Sequence, residues 1–184
     1  MSEPQLNNNR AESLSDAEKI MLELQRRANA FQTEQEQEPM VSLLTFNLGE
    51  EWFALPLDQV KLVARLTPEV TPVPGTSRYV LGIINYKSAI YPLLDLHELL
   101  RLEPQVPSRS SRFIIVNQEQ YTFAILVDAM TEVKEVRERE MEGQLRPNHD
   151  ISNYIRNELS IEGHLLGLLN LEAILKTVAE GSDA

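Results

Sequence analysis

The chain has 184 residues, a formal net charge of −11, 42% hydrophobic and 24% charged side chains, and no cysteine. That balance belongs to globular proteins, and the missing cysteine removes disulfides, thiol nucleophiles and thiolate metal sites together. The acidic excess makes nucleic acid and anionic lipid poor partners, no apolar run is long enough to span a bilayer, and the polar start MSEPQLNNNR has no secretory-signal pattern, so a cytoplasmic protein is expected.

Residues 1–13 are polar and uncapped, the composition of a disordered terminus. Ser15 and Glu18 have the spacing of a capping box, and Met21, Leu24, Ala28 and Phe31 then recur at helical intervals, predicting an amphipathic helix over about residues 16–32. A Gln/Glu-rich linker follows, so residues 1–40 read as an extension to a domain at 41–178.

From Val41 the periodicity changes to two. Leu44, Phe46 and Leu48 alternate with polar residues, Gly49-Glu50 makes a turn, and Trp52–Leu57 returns as a strand that Pro56 assigns to an edge or a bulge. Further strands are expected at 60–66, 82–86 and 89–94. Asp95, with Glu98 three residues on, is expected to cap a short helix at Leu96–Leu100.

The second half repeats the first. A shift of 70 residues lays Phe53–Asp58 on Phe123–Asp128, with Val60 on Met130 and Val63 on Val133. A shift of 75 lays Tyr79–Leu100 on Tyr154–Leu175 without a gap, matching Asp95 to Asn170, both good N-caps. Each half offers about five short strands, too few to cover both faces of an open sheet. Closure into small barrels removes the exposed edges, two barrels packed together supply a common core, and the groove between them is a natural docking site.

Catalytic signals are weak. His97, His149 and His164 lie far apart without metal-ligand spacing, and each reads as a solvated or capping histidine. Asp95 reads as a cap, while Asp58 and Asp128 recur at matching strand ends, where repetition points to structure. An enzyme using Asp58, Asp128 and His164 as acid–base groups is therefore disfavoured. The mixed run Lys134–Glu142 reads as a solvated strand end or helix, and the aromatic residues do not interleave with basic ones as in single-strand binders. No cofactor or metal is expected. A second possibility is an autonomous regulator whose groove binds a small ligand.

Val73-Pro74, Tyr79–Asn85 (YVLGIIN) and Ile90–Leu96 (IYPLLDL), with Phe123–Val133 and Leu165–Leu175, resemble as a set the signature of the CheW-type chemotaxis coupling proteins over residues 41–178. The resemblance implies a mainly β fold: two small five-stranded SH3-like β-barrels related by pseudo-two-fold symmetry, here with an N-terminal amphipathic helix and a C-terminal helix. It implies a non-enzymatic adaptor that binds the regulatory domain of a CheA-type histidine kinase and the cytoplasmic tip of a methyl-accepting chemoreceptor, recruited to membrane-associated receptor arrays without membrane insertion.

Carried over by position, the receptor groove would use Val60 and Val63 from the first barrel and Val127 and Met130 from the second, although core packing is the competing reading for all four. Asn85 and Lys87 complete the protein-binding set. The family's Asn-Leu-Arg-Gly turn becomes Asn85-Tyr86-Lys87-Ser88; Lys87 lacks the planar fork of arginine, and Ser88 for glycine implies a turn that avoids positive φ or accepts strain. Asn157 and Asn170 stand where glycine and aspartate are common. These departures leave room for an adaptor in a divergent pathway, such as one controlling twitching motility or gene expression.

Overall fold

The computed structural model describes residues 19–27, 29, 39–142 and 151–181. The chain divides into two units, Met1–Pro39 and Met40–Ala184. Residues 19–27 form a helix, α1, on which Ile20, Met21, Leu22 and Leu24 are all more than half exposed. The rest of the helix expected at 16–32, apart from the helical residue 29, lies outside the described residues.

The described residues of the second unit form ten strands and one α-helix. They are β1 (Met40–Leu48), β2 (Glu51–Pro56), β3 (Val60–Arg65), β4 (Val80–Tyr86), β5 (Ala89–Leu94), β6 (Arg112–Gln118), β7 (Tyr121–Val127), β8 (Ala129–Arg137), β9 (Ile155–Ile161), β10 (His164–Leu169) and α2 (Leu171–Glu180). One sheet has the order β8-β1-β2-β10-β9 and the other β3-β6-β7-β5-β4. We call them the β1 barrel and the β6 barrel.

Each barrel closes around side chains from all five of its strands. Leu43, Ala54, Val136, Leu159, Leu166 and Leu168 fill the β1 barrel. Ile84, Tyr91, Leu93, Phe113, Ile115, Ala124 and Leu126 fill the β6 barrel, with Leu62 and Ala64 of β3 packed against them. Replacing each strand by its counterpart in the repeat turns one strand order into the other. The registers agree as well: Leu168 pairs with Ala54 in the parallel ladder of one barrel, and Leu93 with Ala124 in that of the other. The architecture is the mainly β pair of five-stranded SH3-like barrels related by pseudo-two-fold symmetry.

The sequence halves are nevertheless not the barrels. β1 and β2 pair with β8, β9 and β10, whereas β3, β4 and β5 pair with β6 and β7. The chain leaves the β1 barrel through the 3-10 turn Leu57–Gln59 and returns to it after β7. Alternation specifies which face of a strand is buried but not which strand lies beside it, so two similar halves can exchange partners without altering the pattern. Val60 and Val63 thus share a barrel with Val127, and only Met130 belongs to the other.

The exchange explains a contrast between strands. β3 alternates strictly between half-buried and exposed positions. β6 and β7 carry unbroken buried runs, Phe113–Val116 and Phe123–Val127. Their second face joins Leu44, Phe46, Leu48, Phe53 and Leu55 of β1 and β2 in a third cluster, between the barrels. Strands covered on both faces read as continuous apolar runs.

Three local expectations change. β2 is an internal strand and not an edge, because Pro56 pairs only with Leu43 while the ladder to β10 stops at Ala54, so its missing N–H lies beyond that ladder. Leu96–Leu100 is one hydrogen-bonded turn, with Leu100 N donating to Leu96 O at 2.9 Å, in place of a helix. The β4–β5 hairpin turns at Lys87 (φ 49°) and Ser88 (φ 65°), so it accepts positive φ, and Asn85 lies within β4 opposite Ile90. Positive φ at both central residues matches the strand twist, a demand that overrides the side-chain preference.

The repeat also fixes a close approach. The β4–β5 register shifts between Val80 and Gly82, and the β9–β10 register shifts at the matching place, between Ile155 and Asn157. Thr71 exchanges backbone hydrogen bonds of 2.9 Å with Ile83 beside Gly82, and a Cβ at residue 82 would lie 2.3 Å from Thr71 O. In the other barrel the Asn157 side chain instead donates to Met141 O. Gly82 (φ 148°) answers both to its backbone angle and to space, whereas Gly49 (φ 61°) has nothing within 4 Å of an added Cβ. Urea unfolding should therefore find Gly82→Ala costing more than about 2 kcal/mol, since strain and overlap add, and Gly49→Ala only about 1. Equal costs would refute this account of Gly82.

Candidate functional site

The polar group that ties the two barrels together is His97. Its side chain is 1% exposed. Nδ1 lies 2.6 Å from Asp95 Oδ1 and Nε2 lies 2.9 Å from Asp128 Oδ2. Asp95 follows β5 and also accepts from His97 N at 3.0 Å. Asp128 joins β7 of one barrel to β8 of the other, and its Oδ2 accepts from Gly49 N in the β1–β2 turn at 2.6 Å. Asp128 N donates to Asn47 O at 3.1 Å. One imidazole thus joins the segment that follows β5 to the crossover that follows β7, which is itself bonded to a hairpin of the β1 barrel.

The expectation that His97 is solvated or a cap is therefore corrected. Its ring is buried because Leu96, Leu99 and Leu100 on either side of it belong to the core between the barrels. The charged imidazole carries an N–H on each ring nitrogen, one for each carboxylate. Burial works against the charged imidazole, but hydrogen bonds and attraction from Asp95 and Asp128 outweigh it and raise its pKa above 6.5. The ring is 1% exposed and each nitrogen faces a carboxylate, so a substrate does not reach it and the clasp is structural.

A histidine whose folded pKa lies above its unfolded value stabilises fully below the unfolded pKa. The contribution then falls as pH rises through the folded pKa. His97→Gln should cost about 1–3 kcal/mol in mildly acidic solution, the range for an unsatisfied buried group. In urea denaturation the gap from the unaltered chain should narrow as pH rises. A gap independent of pH would contradict a charged clasp.

The other chemistry-bearing residues do not converge. Asp58 is exposed in the 3-10 turn after β2. His164 opens β10 with its ring stacked on Trp52, centroids 4.4 Å apart. His149 lies outside the described residues. No group of three or more metal-ligating side chains occurs among the described residues.

The six residues singled out for protein binding fall into four settings. Val60 and Met130 are half-buried at equivalent places, both packed against the core between the barrels. Val63, on the outer strand β3, is 38% exposed. Val127 is wholly buried and presents nothing to a partner, because it lies on the covered face of β7. Asn85 and Lys87 are exposed at the far end of the same strand order, and the Lys87 ammonium lies 5.5 Å from the Tyr86 ring centroid. Two exposed apolar residues were missed. Val133, 48% exposed on outer strand β8, is the counterpart of Val63, a match already present in the repeat. Ile90, 65% exposed opposite Asn85, is not separable by alternation from a core residue.

Comparison with known proteins gives consistent matches. The chain is similar to Chemotaxis protein CheW of Rhizobium meliloti (strain 1021), 28% identical over 137 residues, covering 72% of this chain and 85% of that protein. It is similar to Chemotaxis protein CheW of Helicobacter pylori (strain ATCC 700392 / 26695), 23% identical over 163 residues, covering 89% and 98%. It also resembles Protein PilI of Pseudomonas aeruginosa, 29% identical over 102 residues, covering 55% of this chain and 56% of that protein. Among solved structures, the scaffolding protein TtCheW from Thermoanaerobacter tengcongensis superposes with a TM-score of 0.66 at 24% identity, covering 72% of this chain and 90% of that one. The CheW-like domain model matches residues 42–179, which spans both barrels and α2, and the chain belongs to the CheW-like domain family.

Proposed function

We propose that this chain is a non-enzymatic scaffold that couples the cytoplasmic tip of a methyl-accepting chemoreceptor to the regulatory domain of a CheA-type histidine kinase. The observation that carries the reading is the match of the family over the whole double barrel, residues 42–179. A scaffold works through exposed surface. The outer strands β3 and β8 supply Val63 and Val133 as exposed apolar contacts, with Val60 and Met130 beneath them, and the β4–β5 hairpin supplies Asn85 and Lys87. Val127 supports β7 from inside. We assign the protein to the cytoplasm, recruited to receptor arrays at the membrane; no helix among the described residues is long and apolar enough to cross one.

A second reading, an adaptor or autonomous regulator of a divergent pathway controlling twitching motility or gene expression, draws support from the departures at Lys87, Ser88 and Asn157 and from the likeness to Protein PilI. Pull-down from cell extract distinguishes the two by the kinase that is recovered.

In calorimetric titrations, Val63→Glu should weaken binding of a receptor cytoplasmic fragment by about 10-fold or more, and Lys87→Glu should weaken at least one of the two contacts. Both positions are exposed, so the fold should persist. Full binding to receptor fragment and kinase domain by both folded variants would sink the assignment of this surface.

A further inference from the structure

The β1 barrel bears a hollow of about 370 Å³ that shares no residue with the surface assigned above. Its floor is Phe53, Ile155 and Gly167, its walls include Trp52 and Leu165, and Glu50, Glu51 and Glu158 also line it. Among the described residues, no lysine or arginine lines it. Glu50 and Glu51 make no ion pair among the described residues.

Gly167 lets the Phe53 and Ile155 side chains close against its backbone to form that floor. A Cβ at residue 167 would lie 3.1 Å from both Ile155 Cδ1 and Phe53 Cδ1, tighter than ordinary contact. Gly167 is not in the left-handed region, so its requirement is space and not backbone angle.

The internal repeat provides a control. Where this barrel has Glu50, Glu51, Glu158 and Gly167, the repeat places Gln120, Tyr121, Ile83 and Pro92 in the β6 barrel. The two barrels share strand order and register, so neither the three carboxylates nor the open floor is imposed by the fold. An apolar floor below fixed negative charge complements an apolar side chain carried between positive ones, and a chain of net charge −11 attracts such a segment from a distance.

We propose that this hollow docks a basic segment of a partner protein, which seats one apolar side chain against Trp52 and Leu165 while flanking Lys or Arg side chains meet Glu50 and Glu51. Binding here and binding at the scaffold surface are separate events, so either can fail without the other.

Trp52 is the only tryptophan in the chain and lines the hollow, so its emission responds to occupancy there. The probe is the peptide acetyl-Lys-Arg-Leu-Arg-Lys-amide, titrated into the full chain beside the acidic control acetyl-Asp-Glu-Leu-Glu-Asp-amide. The basic peptide should give a saturable change that weakens as salt is raised and is absent with the control. Gly167→Ala, and separately the double change Glu50→Gln with Glu51→Gln, should each weaken it by about 10-fold. The glutamine variant changes only exposed or rim positions and keeps the test valid should the alanine variant misfold. No saturation up to about 1 mM, an equal response to both peptides, or unaltered affinity in the glutamine variant would overturn the proposal. So would an emission change that follows protein concentration without peptide, which would make a second copy of the chain the occupant.

Discussion

Phe46, Phe53, Ile114, Phe123 and Ile125 are buried between two barrels, and each comes from a strand whose opposite face fills a barrel interior. Neither barrel can be opened without uncovering the other, because the same four strands serve three cores. A five-stranded barrel alone buries too little apolar surface to be secure. Sharing a layer doubles the use of β1, β2, β6 and β7, and the strand exchange binds it covalently, since the chain passes from one barrel to the other and back.

The two sides of that shared layer are finished differently. On one, α2 lays Leu171, Ile174 and Val178 against the core, with Asn170 capping it by accepting from Ala173 N at 3.2 Å. On the other, the corresponding segment makes only one turn, and the clasp of His97 with Asp95 and Asp128 holds the junction. The polar clasp adds a geometrically specific join beside the apolar contacts of Leu96, Leu99 and Leu100. With the interior committed in this way, what remains for function is the outward face of the outer strands and the hairpins between them.

Much of this was legible in the sequence. The shifts of 70 and 75 residues that align Ala54 with Ala124 and Leu93 with Leu168 are the shifts that relate the two parallel ladders, so the repeat reported real registers. What alternation could not report was partnership, and hence the exchange of strands. The His97 clasp was hidden for a related reason: Asp128 is 31 residues away in the chain, and only the fold brings it to Nε2. The one local hint was a histidine set among Leu96, Leu99 and Leu100, all of them buried. At the surface, Val63 and Val133 were visible as a pair, while Val127 was misplaced because an apolar residue at a strand end looks the same whether its face is covered or bare.

The account stands on the interlacing of the halves, and fragment complementation measures it most directly. The chain can be divided in the exposed 103–110 loop, giving one piece with β1–β5 and another with β6–β10 and α2. Each piece alone should lack dispersed amide resonances and cooperative unfolding, and an equimolar mixture should recover both. A piece that folds cooperatively by itself would mean that each half is its own barrel, and the shared-core account would be wrong.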